Sequence, residues 1–584
     1  MPHPPALAGF GASPSEPVSG QYSTSGRTLS EELVDRLHEL GVRDAFGLIG
    51  GANAAFADAL GRSPIRVIHC RHESGAGFAA AEAYFASGAP ALVFATTGPG
   101  LLNALNGVVA ARWEGAKLIL VSGVTSAAQR GRGAAQETSA STMPYSGFFT
   151  QGPLFHYATV IESVEQLATA LARLKGGLES PGGFVAHIAL PIASQRAGVS
   201  GRTPLPDIRR PRQGLSADAL AQSVEALAAG RFAIWVGFGA RHHAQKLRDL
   251  AALTNAPVMC TPRAKGIFPE DHPAYLGVTG LGGHERVYDA LESYAPERVL
   301  VLGTKMGEGS SFWSPRLVPK KGFVHVDIDP EAFGAAYPEA PTLGVQAEIG
   351  VFLDALLERA SSFPRRSGAK RFPSMRVALA ERAGRVRTSY LMQEFQRIVV
   401  ASSDSIVMAD SGNAFAWGNQ CLSFRDAGRY RVSVGYGSMG HFTAGALGAA
   451  LASGRRTVAL VGDGAMLMNN EINTAVQYGA PAVWVVLNDG RYGMVEQGMR
   501  ALGYQPVEAE FPEVDFVAVA RAMGADGVHA REESEVGAAL KWALSADGPV
   551  VVDVSIDGNE PSPVLMRVKS LIRQGAAALP RNVG

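Results

Sequence analysis

Short apolar runs, each ended by a turn and followed by a stretch with helical spacing, recur along most of the chain. "PIRVIHC", "APALVFATT" and "AKLILVSG" alternate with the Ala-rich residues 75–86 and with residues 101–113. Strands that are apolar throughout, with helices between them, read as βαβ units. The fold class is therefore α/β, with parallel sheets covered by helices on both faces. The rhythm returns in "RFAIWVGFG", "APVMCTP", "RVLVLGT" and "GFVHVDIDP", and again in "SIVMADSG", "TVALVGDG", "AVWVVLND" and "PVVVDVSI". Pro- and Arg-containing linkers at 202–214 and 361–374 separate the three units. The expected organisation is a flexible leader at 1–26 and α/β domains at 27–200, 215–360 and 375–570. No residue-level repeat links the three, although their shared architecture allows a duplicated ancestry.

Composition narrows the function classes. Lys plus Arg number 53 and Asp plus Glu 53, so no global field favours nucleic acid or an anionic membrane. No apolar run reaches the ~18 residues of a membrane span. The Pro-, Gly- and Ser-rich N-terminus lacks the basic start and apolar core of a signal peptide. Three scattered cysteines, Cys70, Cys260 and Cys421, show no CxxC spacing and suit a reducing compartment. A cytoplasmic protein is expected.

The stretch "VGDGAMLMNNEINTAVQYGAPAVWVVLNDG" (461–490) carries the most chemistry. A right-handed crossover between its two strands puts their carboxyl ends on one sheet edge, bringing Asp463 and Asn488 together. Gly462 and Gly464 leave room for a ligand there. A carboxylate and an amide oxygen are hard donors suited to Mg²⁺, which also takes oxygens from substrate phosphates. A capping Asp followed by an Asn-Asp-Gly turn accounts for the same spacing.

Gly-Asp-Gly followed, after 23 residues, by Asn488 resembles the signature of thiamin diphosphate (ThDP)-dependent enzymes. The resemblance implies that Asp463, Asn488 and the carbonyl of Gly490 hold Mg²⁺; the family's frequent second Asn is Asp489 here. "RHESGAGFAAAEAY" is similar to the glutamate segment of the acetohydroxyacid synthase group, which makes Glu73 the carboxyl that keeps a proton on N1′ of the cofactor's pyrimidine. His72 in that segment is given a structural role. "GLIGGAN" (47–53) resembles the glycine turn facing the reactive centre, with Gly50 and Gly51, and "GYGSMGHFTAGALGAA" the start of the cofactor helix bundle. Met439 then matches the apolar wedge beneath the bent cofactor. Gly437, Gly462, Gly464, Tyr492, Gly493 and Met494 fall in the cofactor-binding segments. The matches run from 27 to 565 and imply a pyrimidine-binding domain at 27–200, a middle domain at 215–360 and a diphosphate-binding domain at 375–570. In this family pyrimidine and diphosphate are held by different chains, so a homodimer or homotetramer is implied.

The reaction is read from departures. Simple 2-oxoacid decarboxylases of this superfamily carry a His-His pair in the loop after about residue 120, and residues 122–143 here contain no histidine. The Ala-Phe-Gln-Glu of acetohydroxyacid synthases becomes Ala134, Ala135, Gln136 and Glu137, with Gln136 beside the acceptor and more space at Ala135. The Arg-Phe-Asp-Asp-Arg stretch becomes "KMGEGSS" from Lys305, able to meet a carboxylate only as a point charge. The expected Trp is Gly498. FAD stays open, because "GFGARHHA" is only a fragment of a dinucleotide turn. The resemblance thus implies a ThDP- and Mg²⁺-dependent carboligase that decarboxylates a 2-oxoacid such as pyruvate and couples the product to a second carbonyl compound. A decarboxylase, a diketone C–C hydrolase and a regulatory ThDP-fold subunit are the alternatives, the last disfavoured by the intact Glu73.

Overall fold

The computed structural model describes residues 26–143, 146–209, 214–364 and 378–577. The expected leader lies outside these apart from Gly26, as do parts of both linkers.

Every apolar run named above forms a strand, and the strands build three six-stranded sheets in which every pairing is parallel. The first runs Arg66–His69, Asp44–Gly47, Ala91–Ala95, Lys117–Val124, Phe184–Pro191, Tyr157–Val160. The third runs Tyr430–Val432, Ile406–Ala409, Thr457–Gly462, Ala482–Asn488, Val550–Ser555, Asp526–Ala530. Numbered within their own domains, both follow the order 2-1-3-4-6-5. The middle sheet is Tyr275–Val278, Val258–Cys260, Phe232–Val236, Arg298–Leu302, Phe323–Asp327, Thr342–Gln346. Its order, 3-2-1-4-5-6, is that of a dinucleotide-binding sheet. An antiparallel pair, Arg27–Thr28 with Gly198–Val199, ties the two ends of the first domain.

The first and third domains share one hydrophobic core, which runs from Ala76–Tyr84 through Phe442–Ala450 to Val461 and Trp484. Small residues make this packing tight. The helix Glu73–Ser87 is largely Gly, Ala and Ser, and a Cβ added at Gly448 of the helix His441–Ser453 would overlap the Ala79 carbonyl. In the same interface buried Glu82 accepts two hydrogen bonds from Arg431, both at 2.8 Å, and lies 3.0 Å from His441 Nε2. A buried bidentate pair of this kind fixes the geometry of the contact, because removing either partner strands a charge.

The expected crossover helix over "NNEINTAVQYG" is shorter than its sequence: Asp463–Met466 forms one helical turn, Asn469 takes a left-handed φ of 50°, and the helix proper is Ile472–Tyr478. Among the described residues no helix is long and apolar enough to cross a membrane.

Candidate active site

The site residues gather into two groups, one on each of the domains that share a core. In the first domain Glu73 opens the helix Glu73–Ser87 and is buried. His72 caps that helix, its Nδ1 accepting from the Ser74 N–H at 3.1 Å, in keeping with a structural role. Glu73 Oε2 accepts from Asn103 Nδ2 at 3.1 Å. A Cβ on Gly100 would stand 3.1 Å from Glu73 Oε1 and 2.8 Å from Thr96 Cγ2, and one on Gly50 would stand 2.7 Å from Thr96 Oγ1. Gly50 therefore meets Glu73 across Thr96. The turn at Gly50 is held by Asn53, whose Oδ1 accepts from the Gly50 N–H at 2.8 Å and whose Nδ2 donates to the Leu48 carbonyl at 3.0 Å. Gly51 borders open space. Gln136, exposed and left-handed at φ 53°, accepts from Thr97 Oγ1 at 3.1 Å, which places it one residue beyond the same turn.

In the third domain the strands Thr457–Gly462 and Ala482–Asn488 are parallel neighbours with Gly462 opposite Leu487, so Asp463 and Asn488 share one edge. Asp463 Oδ1 accepts from the Gly464 N–H at 2.7 Å, and Oδ2 accepts from the N–H groups of Asp489 at 3.1 Å and Gly490 at 2.7 Å. Burial pushes its carboxyl above the ordinary range against these donors. Burial, then the charge of Asp463, also pushes Asp489 up to about 7. Asn488 Nδ2 donates to the Val514 carbonyl at 2.9 Å and to Asp553 Oδ1 at 3.0 Å, while its own Oδ1 is buried and accepts nothing. The Gly490 carbonyl accepts from the Phe511 N–H at 2.9 Å, with a second lone pair remaining.

Above this edge a Cβ on Gly464 would stand 2.6 Å from the Tyr492 ring and 3.3 Å from Met439 Cε. The turn carrying Met439 is pinned by buried Asp410, which accepts from the N–H groups of Ser411 (2.7 Å), Gly440 (3.1 Å), Phe442 (2.7 Å) and Thr443 (3.2 Å). Burial still pushes Asp410 up to about 6. Gly437, at φ 66°, donates to Ser433 Oγ at 3.3 Å. Gly493 starts the helix Gly493–Ala501, and Met494 packs on the third domain's core with its Sδ 3.5 Å from Arg567 Nη1.

Three family models match in order: "Thiamine pyrophosphate enzyme, N-terminal TPP binding domain" over 27–143, the central domain over 220–356 and the C-terminal TPP binding domain over 410–554, together more than half of the chain. The chain belongs to the thiamine pyrophosphate enzyme family. Among curated relatives, a Mycobacterium tuberculosis protein described as an acetolactate synthase large subunit is 29% identical over 560 residues, 91% of this chain and 98% of its own. The large subunit of Escherichia coli acetolactate synthase isozyme 1 is 26% identical over 575 residues, 96% and 98%. A Pseudomonas aeruginosa protein described as a 2-ketoarginine decarboxylase is 28% identical over 541 residues, 90% and 94%. An X-ray structure of what is described as a thiamin diphosphate-dependent enzyme isolated from Mycobacterium smegmatis superposes with a TM-score of 0.78 at 22% identity, covering 91% of this chain and 99% of that one.

This ThDP enzyme's third-domain edge fits a divalent cation carrying a diphosphate. It offers a buried carboxylate, a left-handed glycine whose carbonyl keeps a lone pair, and a buried amide oxygen without a donor. Within one chain the neighbours of the two groups touch: the N–H groups of Arg71 and His72 donate to the Glu471 carboxylate, Arg71 at 2.9 Å and His72 at 3.1 Å, and Asn106 Nδ2 donates to Ser438 Oγ at 3.4 Å. Arg71, His72 and Asn106 from the first domain and Met439 and Asn469 from the third line one cleft of about 630 Å³, and no described hydrogen bond joins Glu73 to Met439, Asp463 or Asn488. Exposed apolar side chains flank both groups: Ile49 and Leu102 beside the first, Leu467, Met468, Tyr492 and Val495 beside the second.

Sequence reasoning missed Asn103, Asp410 and Asp553. The last two carried a signal, an acid inside or at the end of an apolar strand, where charge survives only with partners. Lys305 is already engaged, its ammonium 2.6 Å from Asp329 Oδ2.

Proposed function

We propose that this protein is a ThDP- and Mg²⁺-dependent carboligase that decarboxylates a 2-oxoacid, pyruvate in the first instance, and joins the two-carbon unit to the carbonyl of a second molecule. ThDP, when bound, supplies the carbon nucleophile and the electron sink for loss of CO₂. Asp463, Asn488 and the Gly490 carbonyl would hold the cation and through it the diphosphate. Met439, Gly464 and Tyr492 would shape the surface beneath the rings, with Gly437, Gly462, Gly493 and Met494 in the surrounding turns. Glu73 would keep a proton on N1′ of the pyrimidine, with Asn103 fixing its carboxylate and Gly50 and Gly51 lining the approach. Gln136 would hydrogen-bond the acceptor.

The observation that carries ligation over aldehyde release is the lack of a histidine proton donor in residues 122–143. His187, which bonds Ser122 Oγ at 2.8 Å, is no substitute: burial pushes its pKa down to about 4, and Phe148's carbonyl occupies its Nδ1 at 2.6 Å. Space for an acceptor agrees, since Ala135 is exposed and a Cβ on Gly498 would meet nothing within 4 Å. The acetolactate synthase relatives support ligation. The relative described as a 2-ketoarginine decarboxylase marks the competing outcome. The reaction proposed needs no redox step, so FAD stays open in this reading.

Because Glu73 and Asp463 lie in separate groups, each bordered by exposed apolar side chains, the working unit would be a homodimer or a dimer of dimers. Glu73 of one chain would then face Asp463 of another. Three free cysteines suit a cytoplasmic location. The test is chromatographic: with pyruvate, Mg²⁺, ThDP and carbonyl acceptors of increasing size, most consumed pyruvate should appear in coupled product. Free acetaldehyde predominating with every acceptor would make the protein a decarboxylase.

A further inference from the structure

Asp553 sits inside the strand Val550–Ser555, among valines, and is 3% exposed. Its neighbour strand places Val486 opposite Asp553 and Asn488 opposite Ser555. Residues two apart on a strand share a face, so Asn488 and Asp553 are diagonal neighbours on one side of the sheet. Asp553 Oδ1 accepts from Asn488 Nδ2 at 3.0 Å, and Oδ2 accepts from the Phe516 N–H at 3.2 Å. Behind it His529 Nδ1 lies 3.5 Å from Oδ2, and His529 Nε2 lies 3.4 Å from Asp515 Oδ1.

The amide of Asn488 therefore has two acceptors against its nitrogen, the Asp553 carboxylate and the Val514 carbonyl. Turning the amide over would set Oδ1 against both of them, so only one orientation is tenable. In that orientation Oδ1 points away from both acceptors and is buried without a donor.

We propose that Asp553 is a positioning residue: it holds the Asn488 amide so that Oδ1, and not the NH₂ group, is presented to the cation. The inference rests on the reading of Asp463 and Asn488 as the Mg²⁺ site. It adds a residue on a different strand that touches neither cation nor cofactor. Partners behind a metal ligand commonly govern affinity by fixing the ligand's orientation.

Full-length protein tests it by calorimetric ThDP titration at a series of Mg²⁺ concentrations, with Mn²⁺ binding followed by electron paramagnetic resonance. D553N can donate as well as accept, so it no longer fixes the amide, and Mg²⁺-dependent ThDP affinity should fall about 10- to 100-fold. N488A leaves no amide to orient. The double variant N488A/D553N should therefore bind no worse than N488A alone. If D553N is not recovered folded, Asp553→Ser, whose hydroxyl also donates and accepts, takes its place in the same cycle. An equal loss in the N488A background would overturn the proposal, since Asp553 would then act on the fold at large. Unchanged Mg²⁺ dependence in both D463A and N488A would instead remove the underlying site.

Discussion

Asn103 donates its side-chain N–H to the Glu73 carboxylate at 3.1 Å, across the gap between the helices Pro99–Glu114 and Glu73–Ser87. The pair holds the one buried acid of the first group in a fixed place while leaving Oε1 beside Gly100. Glu73→Gln should keep ThDP affinity within a few-fold, because the diphosphate is held elsewhere, and slow proton exchange at C2 of bound ThDP by about 10²–10⁴-fold. Acid-quenched hydrogen-deuterium exchange read by NMR measures that step. Wild-type exchange in the variant would remove Glu73 from its role.

Asp463→Ala deletes a charged oxygen donor from an edge with few others. ThDP and Mg²⁺ affinity should fall together, on the order of a hundredfold or more, and excess Mg²⁺ should recover only part of the loss. Isothermal titration at two Mg²⁺ concentrations tells the outcomes apart; unaltered affinity contradicts the assignment.

How much of this was legible in the sequence depends on what each residue needs around it. Asp463 and Asn488 could be placed together because handedness and strand direction follow from βαβ connection rules alone. The class of fold followed from strand rhythm, but strand order did not: that the first and third sheets share 2-1-3-4-6-5 while the middle one runs 3-2-1-4-5-6 depends on which strands pair, and apolar runs do not encode it. Asp410 and Asp553 stand in strands that were readable as strands. Apart from the adjacent Ser411 N–H, their partners are backbone N–H groups and an amide 30 to 65 positions away, so an acid at or inside an apolar strand gave a signal without a meaning. Asn103 was hidden in the same way, a polar residue in a helix whose partner lies on another helix.

Asp410 yields a pH prediction. Its folded pKa of about 6 lies above the ordinary aspartate value near 3.8, so the folded state holds the proton more tightly than the unfolded one. The stability this contributes is fully present below about pH 4 and is lost as pH rises to 6 and beyond, by on the order of 3 kcal/mol. Asp410→Asn cannot ionise. The thermal midpoint of the variant relative to wild type should therefore rise between pH 4 and pH 7, on top of a constant offset from altered hydrogen bonding. A difference independent of pH, or one of opposite slope, would contradict it.

Ala135 and Gly498 are the openings expected to admit an acceptor. Ala135→Phe should shift coupling toward small acceptors by at least roughly 10- to 200-fold in relative kcat/KM, the range that a single methylene in a pocket already brings. Competition between a small and a large aldehyde, read by chromatography, is the measurement; an unchanged ratio would place the acceptor elsewhere.

Glu73 and Asp463, joined by no described hydrogen bond within one chain, would serve a single centre built from two chains. Co-expression of differently tagged Glu73→Gln and Asp463→Ala chains, followed by purification through both tags, isolates mixed dimers in which one centre carries both substitutions and the other neither. About half of wild-type pyruvate consumption is expected in this fraction, against near-background activity for each parent, because a twofold dimer has two equivalent centres. Mixed dimers no more active than their parents would contradict it.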